Sequence, residues 1–89
     1  MIRKIYSVYD EAAQAYATPF FMNTDEQARR GFVDAVQKDE NLNRYAKDYS
    51  LWCIGSFDDC RGTLIHAELP QPMMTAMEAK AVFEQSKEV

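Results

Sequence analysis

The strongest constraint on the fold lies at residues 2–9. This stretch is rich in Ile, Val and Tyr, residue types that favour an extended backbone. Alternation along a strand puts Ile2, Tyr6 and Val8 on one face and Ile5 and Tyr9 on the other. A strand that is apolar on both faces must be covered twice, which predicts a central place in a sheet. The chain has 89 residues, enough for one hydrophobic core, so residues 1–89 are expected to form a single domain.

The remaining elements follow from local chemistry. Residues 10–17 are alanine-rich and predict a short helical turn opened by Asp10, which must end at Thr18 because Pro19 follows. Phe20, Phe21 and Met22 make an apolar plug. Thr24 and Gln27 have capping-box spacing, and Ala28, Phe32, Ala35 and Val36 recur at helical intervals, predicting a helix to about Gln37. Residues 38–48 are polar and read as a loop anchored by Leu42 and Tyr45. Strands are expected at 51–57 and 63–69, joined by a hairpin loop with Gly62 at a positive φ. Residues 73–85 hold good helix formers, with Pro72 suited to the first helical position. The resulting order, βαββα, is an α+β fold with a small antiparallel sheet and two helices, the ferredoxin-like pattern without its last strand. Such a sheet leaves an edge open, and pairing with a second subunit to form a homodimer is a common way to protect it.

Charge excludes some functions. Lys and Arg number 10 against 14 Asp and Glu, a net charge of −4. A protein held to duplex DNA or to a membrane by electrostatics needs a cationic surplus. No apolar run approaches the roughly 20 residues of a membrane span. The first residues lack the apolar stretch of a signal peptide, which leads us to expect a cytoplasmic protein with Cys53 and Cys60 as free thiols. Two Cys and the single His66 are too few for a structural zinc site, so no metal is expected. The chain has no phosphate loop, no dinucleotide-binding glycine pattern and no serine-centred elbow. His66 has no apposed nucleophile in the sequence pattern, and Asp58 and Asp59 suit a turn. No residue is assigned a catalytic role, no cofactor is expected, and the test of an enzyme reading is a deep pocket around His66, Asp59 and Glu68.

The candidate binding residues are cations and rings. Arg29 and Arg30 sit at helical spacing from Asp25, Glu26 and Asp34, which favours ion-paired helix surface over phosphate contact. Arg3, Lys4, Arg44 and Lys47 lack such local partners and form a cationic patch if the 38–48 loop folds beside the start of the first strand. Tyr6, Tyr9, Tyr45, Tyr49 and Trp52 lie in or near the same elements. Unpaired bases stack on such rings without sequence readout. Each ring taken alone is better explained by core or dimer packing, but 12% aromatic content is a generous supply for so small a core. Met73, Met74 and Met77 lie on one arc of the expected last helix, with Val82 and Phe83 elsewhere around it. That surface is broad enough to suit a partner or second subunit as well as the core.

Two stretches taken together carry a resemblance. The first is Ile5-Tyr6-Ser7-Val8-Tyr9-Asp10, continuing through Ala15, Pro19-Phe20-Phe21-Met22 and Ala28-Arg29-Arg30-Gly31-Phe32. The second is Tyr49-Ser50-Leu51-Trp52-Cys53-Ile54-Gly55-Ser56-Phe57-Asp58-Asp59. In this order and spacing, over most of residues 2–66, the chain resembles the small non-structural protein of microviruses, especially the gokushovirus branch of these single-stranded DNA phages. The resemblance implies a DNA-binding protein, or one tied to single-stranded genome synthesis, acting in the host cytoplasm. It implies no catalytic residue.

Two functions are therefore expected. In one, the protein is non-enzymatic and associates with single-stranded DNA. Tyr6, Tyr9, Tyr45 and Trp52 stack on bases, and Arg3, Lys4, Arg44 and Lys47 touch phosphates. In the other, it is a dimeric adaptor for the phage replication initiator, the procapsid or a host protein, and touches no DNA. Sheet rings buried in a dimer favour the adaptor, and exposed rings beside cations favour DNA.

Overall fold

A computed structural model describes residues 1–87, without the side chains at 67, 68 and 85–87. The chain folds as β1 (Ile2–Asp10), β2 (Ala15–Tyr16), β3 (Phe20–Met22), α1 (Asp25–Lys38), α2 (Glu40–Arg44), a 3-10 turn (Ala46–Asp48), β4 (Tyr49–Asp58), β5 (Thr63–Thr75) and α3 (Ala76–Lys87). The five strands form one antiparallel sheet in the order β2-β1-β4-β5, with β3 also on β1. β1 is central as expected. One of its edges carries β4 along its whole length, and the other is shared by β2 at Tyr9–Asp10 and β3 at Lys4–Tyr6.

The class is α+β, but the order differs from βαββα, and the strand pairing differs from a ferredoxin-like sheet. In the split pattern the strands flanking the first helix are parallel with another strand between them. Here β1 and β4 are direct antiparallel neighbours, from Ile2 opposite Asp58 to Asp10 opposite Tyr49. The cause lies in residues 10–22. Asp10 does open a turn, accepting from the amides of Ala12 (3.0 Å) and Ala13 (3.4 Å). Gln14 then takes a left-handed φ of 53°, and the chain reverses into β2 instead of continuing a helical turn. The expected apolar plug becomes β3, which returns the chain to the Lys4 end of β1. After this extra pass, the 14 residues of α1, about 21 Å of helix, lead back to the Asp10 end, where β4 begins.

The caps explain the helices. The Gln27 amide donates to Thr24 Oγ1 (3.2 Å), as the capping spacing predicts, while Gln27 Oε1 accepts from the amide of Asn23 (3.3 Å), not of Thr24. The expected 38–48 loop contains α2 and the 3-10 turn, because Asp39 Oδ1 caps the amides of Asn41 (2.9 Å) and Leu42 (3.1 Å). The last helix starts three residues later than expected, at Ala76. Thr75 and Glu78 form its capping box, with the Glu78 amide on Thr75 Oγ1 (3.1 Å) and the Thr75 amide on Glu78 Oε1 (3.2 Å). Met73, Met74 and both nearby prolines therefore lie in β5. Pro72 does not open a helix; it lies opposite Trp52 in an edge strand, where proline is tolerated.

The core lies between one face of the sheet and the helices. Tyr6 and Leu51 from the sheet meet Ala28, Phe32 and Val36 of α1, Ala76 and Ala79 of α3, and Ala46. Phe20, Met22, Cys53, Met73 and Met74 pack around them. Met77 and Val82 are exposed. The smallest dimension of the molecule is 19 Å, room for a helix layer on a sheet and no third layer. Among the described residues, the opposite face of the sheet carries no helix.

One polar group ties the two layers. The buried Tyr6 hydroxyl donates to Asp25 Oδ1 (2.7 Å), and Lys4 Nζ reaches the same oxygen at 3.1 Å. The Tyr6 bond, helped by Lys4, holds the Asp25 carboxyl below the usual carboxylate range despite its partial burial. Burial, with the Asp25 bond second, pushes the Tyr6 hydroxyl far up. A depressed carboxyl contributes stability above its unfolded pKa of about 3.9 and loses it as pH falls through the folded value. A raised phenol contributes below about pH 10 and loses it as pH rises through the folded value. The stability gap between wild type and Asp25→Asn, measured by urea unfolding, is therefore expected to be full at pH 7 and to shrink towards pH 2. An equal gap at both pH values would refute this linkage.

Candidate nucleic-acid interface

The helix-free face is built by register. Odd residues of β1 point to it, and their partners directly opposite share it: Arg3 with Phe57, Ile5 with Phe21 and Gly55, Ser7 with Trp52, and Tyr9 with Tyr16 and Ser50. Two aromatic clusters result. Near β2, the Tyr9 and Tyr16 rings are 4.7 Å apart at 52°, and Tyr16 meets Trp52 edge-on at 6.4 Å. Near β3, Phe21 meets Phe57 edge-on at 5.8 Å. Buried Ile5 and Ser7 form the floor between them, with Ser7 Oγ donating to the carbonyl of Ala17 (2.7 Å). Trp52 Nε1 donates to Ser50 Oγ (2.7 Å), which fixes the indole plane. Tyr16 is 45% exposed and Phe21 47%, while Tyr9, Trp52 and Phe57 are half-buried.

This face does not collect all eight residues singled out in the sequence. Tyr9 and Trp52 lie on it. Tyr6 points the other way, into the core, and no ligand can stack on it without unfolding. Tyr45 is exposed at the end of α2 and is in ring contact with neither cluster. The four cations do not form one patch. Arg3 and Lys4 sit at the Asp58 end of β1, whereas Arg44 and Lys47 precede Tyr49, which pairs with Asp10 at the opposite end. Six or seven strand residues, about 20 Å, separate the two groups. Arg3 borders the aromatic face, with Nε 3.4 Å from Asp59 Oδ2. Lys4 is on the helix side with Asp25, and Arg44 pairs with Glu40 at 3.0 Å. Among the described residues, Lys47 has no ion-pair partner.

The same layout accounts for what the sequence left out. Tyr16, Phe21 and Phe57 complete the clusters, and the alternation of Phe20, Phe21 and Met22 is the signal that marks Phe21 as outward-facing once 20–22 is a strand. The ion pairing expected of Arg29 and Arg30 is not formed: Asp25 is turned to Tyr6 and Lys4, and among the described residues neither arginine lies within 4.0 Å of a carboxylate. Both line a groove of about 410 Å³ between α1 and α3, shared with Glu26, Asp34 and Phe83. A larger groove, about 460 Å³, lies beside Tyr16 and Tyr49 and is lined by Val8, Asp10, Asp39 and Leu42. Burial, then Asp10, Asp39 and Asp48, raises the Tyr49 hydroxyl.

A further group of acidic side chains lies in the β4–β5 turn. Asp58 Oδ1 accepts from the amides of Cys60 (3.0 Å) and Arg61 (3.3 Å), and Gly62 has the expected positive φ of 69°. Asp59 pairs with the Met1 ammonium at 2.8 Å, whose hydrogen bond holds the carboxyl below its usual range. Cys53 is half-buried and Cys60 exposed, both free. The hollow beside His66 is lined by Lys4, Cys53, Gly55, Ser56 and Ile65; it includes no Asp59, and the Glu68 side chain lies outside the described residues. No described helix is long and apolar enough to cross a membrane.

A family model described as Phage ORF5 protein matches residues 3–79, most of the chain and all of the five strands except Ile2. No curated protein and no solved structure matches.

Proposed function

The chain belongs to the Phage ORF5 protein family, and from that membership we propose that it is a non-enzymatic, non-structural protein of a single-stranded DNA phage, of the microviruses and their gokushovirus branch, that associates with single-stranded DNA in the host cytoplasm during genome synthesis and its switch to packaging. The observation that carries this reading is the uncovered sheet face, with five aromatic rings and Arg3 as the charged residue at its rim. A base stacks on the Tyr9–Tyr16–Trp52 cluster, at roughly 1–3 kcal/mol per base. Arg3 contacts phosphate by exchanging Asp59. Both partners of that pair are open to solvent, and such pairs are weak and screened by salt, so the exchange is easy. Lys47 and Arg44 stand at the far end for a longer strand.

The test is a fluorescence-anisotropy titration of labelled oligothymidine at low and moderate salt, with duplex as control. We expect saturable binding of the single strand, a shallow salt dependence of one or two phosphate contacts, and about 5- to 150-fold weaker binding by Trp52→Ala. Absence of single-strand binding at low salt by folded protein would overturn the reading.

A second reading is a dimeric adaptor for a phage or host replication or assembly protein. It draws on charge: the chain carries −4, and Arg3, Lys4 and Arg44 each already face a carboxylate. It expects a homodimer in light scattering and no DNA binding.

A further inference from the structure

The two ring clusters differ in position and chemistry, and their separation bears on the size of the ligand. Along β1, Ser7, opposite Trp52, and Ile5, opposite Phe21, are two residues apart, about 7 Å. Arg3, opposite Phe57, lies two residues further on. An unpaired strand pulled out to about twice the duplex rise of 3.4 Å advances about 7 Å per nucleotide. Trp52 and Phe21 flank β1 on opposite sides, two strand spacings or about 10 Å apart across the sheet as well, so two nucleotide steps reach from the Trp52 cluster to the Phe21–Phe57 pair and Arg3. Resting on the single-strand reading above, we propose that the sheet face holds two separate base-stacking stations, Tyr9–Tyr16–Trp52 and Phe21–Phe57, which engage two bases of one strand across a minimum ligand of three to four nucleotides.

The floor supports this arrangement. Ile5 and Ser7 are buried and uncharged, so sugar and phosphate crossing between the stations meet no carboxylate there. Charge is complementary at the rim, where Arg3 stands beside Phe57 to receive the phosphate that leaves the second station. The second station is purely phenyl and reads no base identity.

Trp52 is the single tryptophan of the chain, so its fluorescence reports occupancy of the first station. The experiment titrates oligothymidines of one to eight nucleotides and follows its quenching. Affinity is expected to climb steeply up to three or four nucleotides and then level off. Phe21→Leu keeps apolar volume on the exposed strand and removes the ring; it is expected to weaken the tetranucleotide at least 5-fold and to leave the mononucleotide unchanged. Phe57→Leu, which alters the other ring of the pair, is expected to do the same, and circular dichroism verifies the fold of both. If wild type binds the octamer while both leucine variants bind it equally well, the second station is overturned and single-strand binding stands. If no oligothymidine of any length binds, both readings are overturned.

Discussion

Phe32→Ala is expected to destabilise the fold by about 3–5 kcal/mol, the usual result of truncating a buried phenylalanine in a core that cannot collapse around the cavity. Phe32 is 3% exposed at the centre of α1 and belongs to the cluster that joins Tyr6 and Leu51 of the sheet to Ala76 and Ala79 of α3. Three of the surrounding core residues are alanines on helices (Ala28, Ala76 and Ala79), which have no side chain to reach into the vacated space. A domain of this length has roughly 5–13 kcal/mol in all, so the variant loses between about a quarter and all of its stability. Urea denaturation monitored by Trp52 fluorescence measures this. A loss under 1 kcal/mol would mean that α1 does not pack on the sheet as described.

Gly55→Ala is expected to be the most damaging single-methyl addition. A Cβ at this position would lie 2.7 Å from the carbonyl oxygen of Ile65 and 3.3 Å from His66 Cα. Both are backbone atoms of β5, so no side chain can rotate away and the strand itself must shift. Overpacking of this kind costs about 1–3 kcal/mol. Gly31 supplies the control. A Cβ there meets only Met22 Cε at 3.6 Å, an ordinary contact inside α1, and replacing a mid-helix glycine by alanine stabilises by about 0.5–1 kcal/mol. Opposite signs for the two variants in thermal melts are the expected result; equal signs would contradict the close approach of β5 at Gly55.

Much of the fold was legible because the signals were local and strong. The two-faced apolar strand at 2–9, the Thr24 cap with its helical period, and the Gly62 turn each depend on neighbours a few residues apart, and all three stand in the structure. The β2–β3 return was not legible. A two-residue strand and a three-residue strand have no period of their own, and Gln14 takes a conformation that a glycine would have signalled. That one reversal decides whether β4 lies parallel or antiparallel to β1, so the topology turned on the least periodic part of the chain. The start of α3 was obscured by Pro70 and Pro72, which read as punctuation before a helix but occupy an edge strand. Half of the candidate site was visible for a similar reason. Tyr9 and Trp52 follow from alternation, whereas Tyr16, Phe21 and Phe57 depend on cross-strand register, and the separation of Arg3 from Arg44 and Lys47 depends on which end of β1 receives β4.

The two prolines have a bearing on how crowded copies of this chain can become. An edge strand offers free backbone groups to any similar strand it meets, the first step towards fibrous polymer, but the row along β5 is broken, with 67–70 standing between His66, opposite Gly55, and Gln71, opposite Cys53. Pro70 and Pro72 remove two donors from that row, and a ring without an N–H cannot be copied along a growing ladder. Strand addition is thereby interrupted beyond His66, although Leu64, Ile65 and Leu69 leave β5 greasy to the touch. Two missing donors and a break in the ladder thus guard the edge that β5 presents.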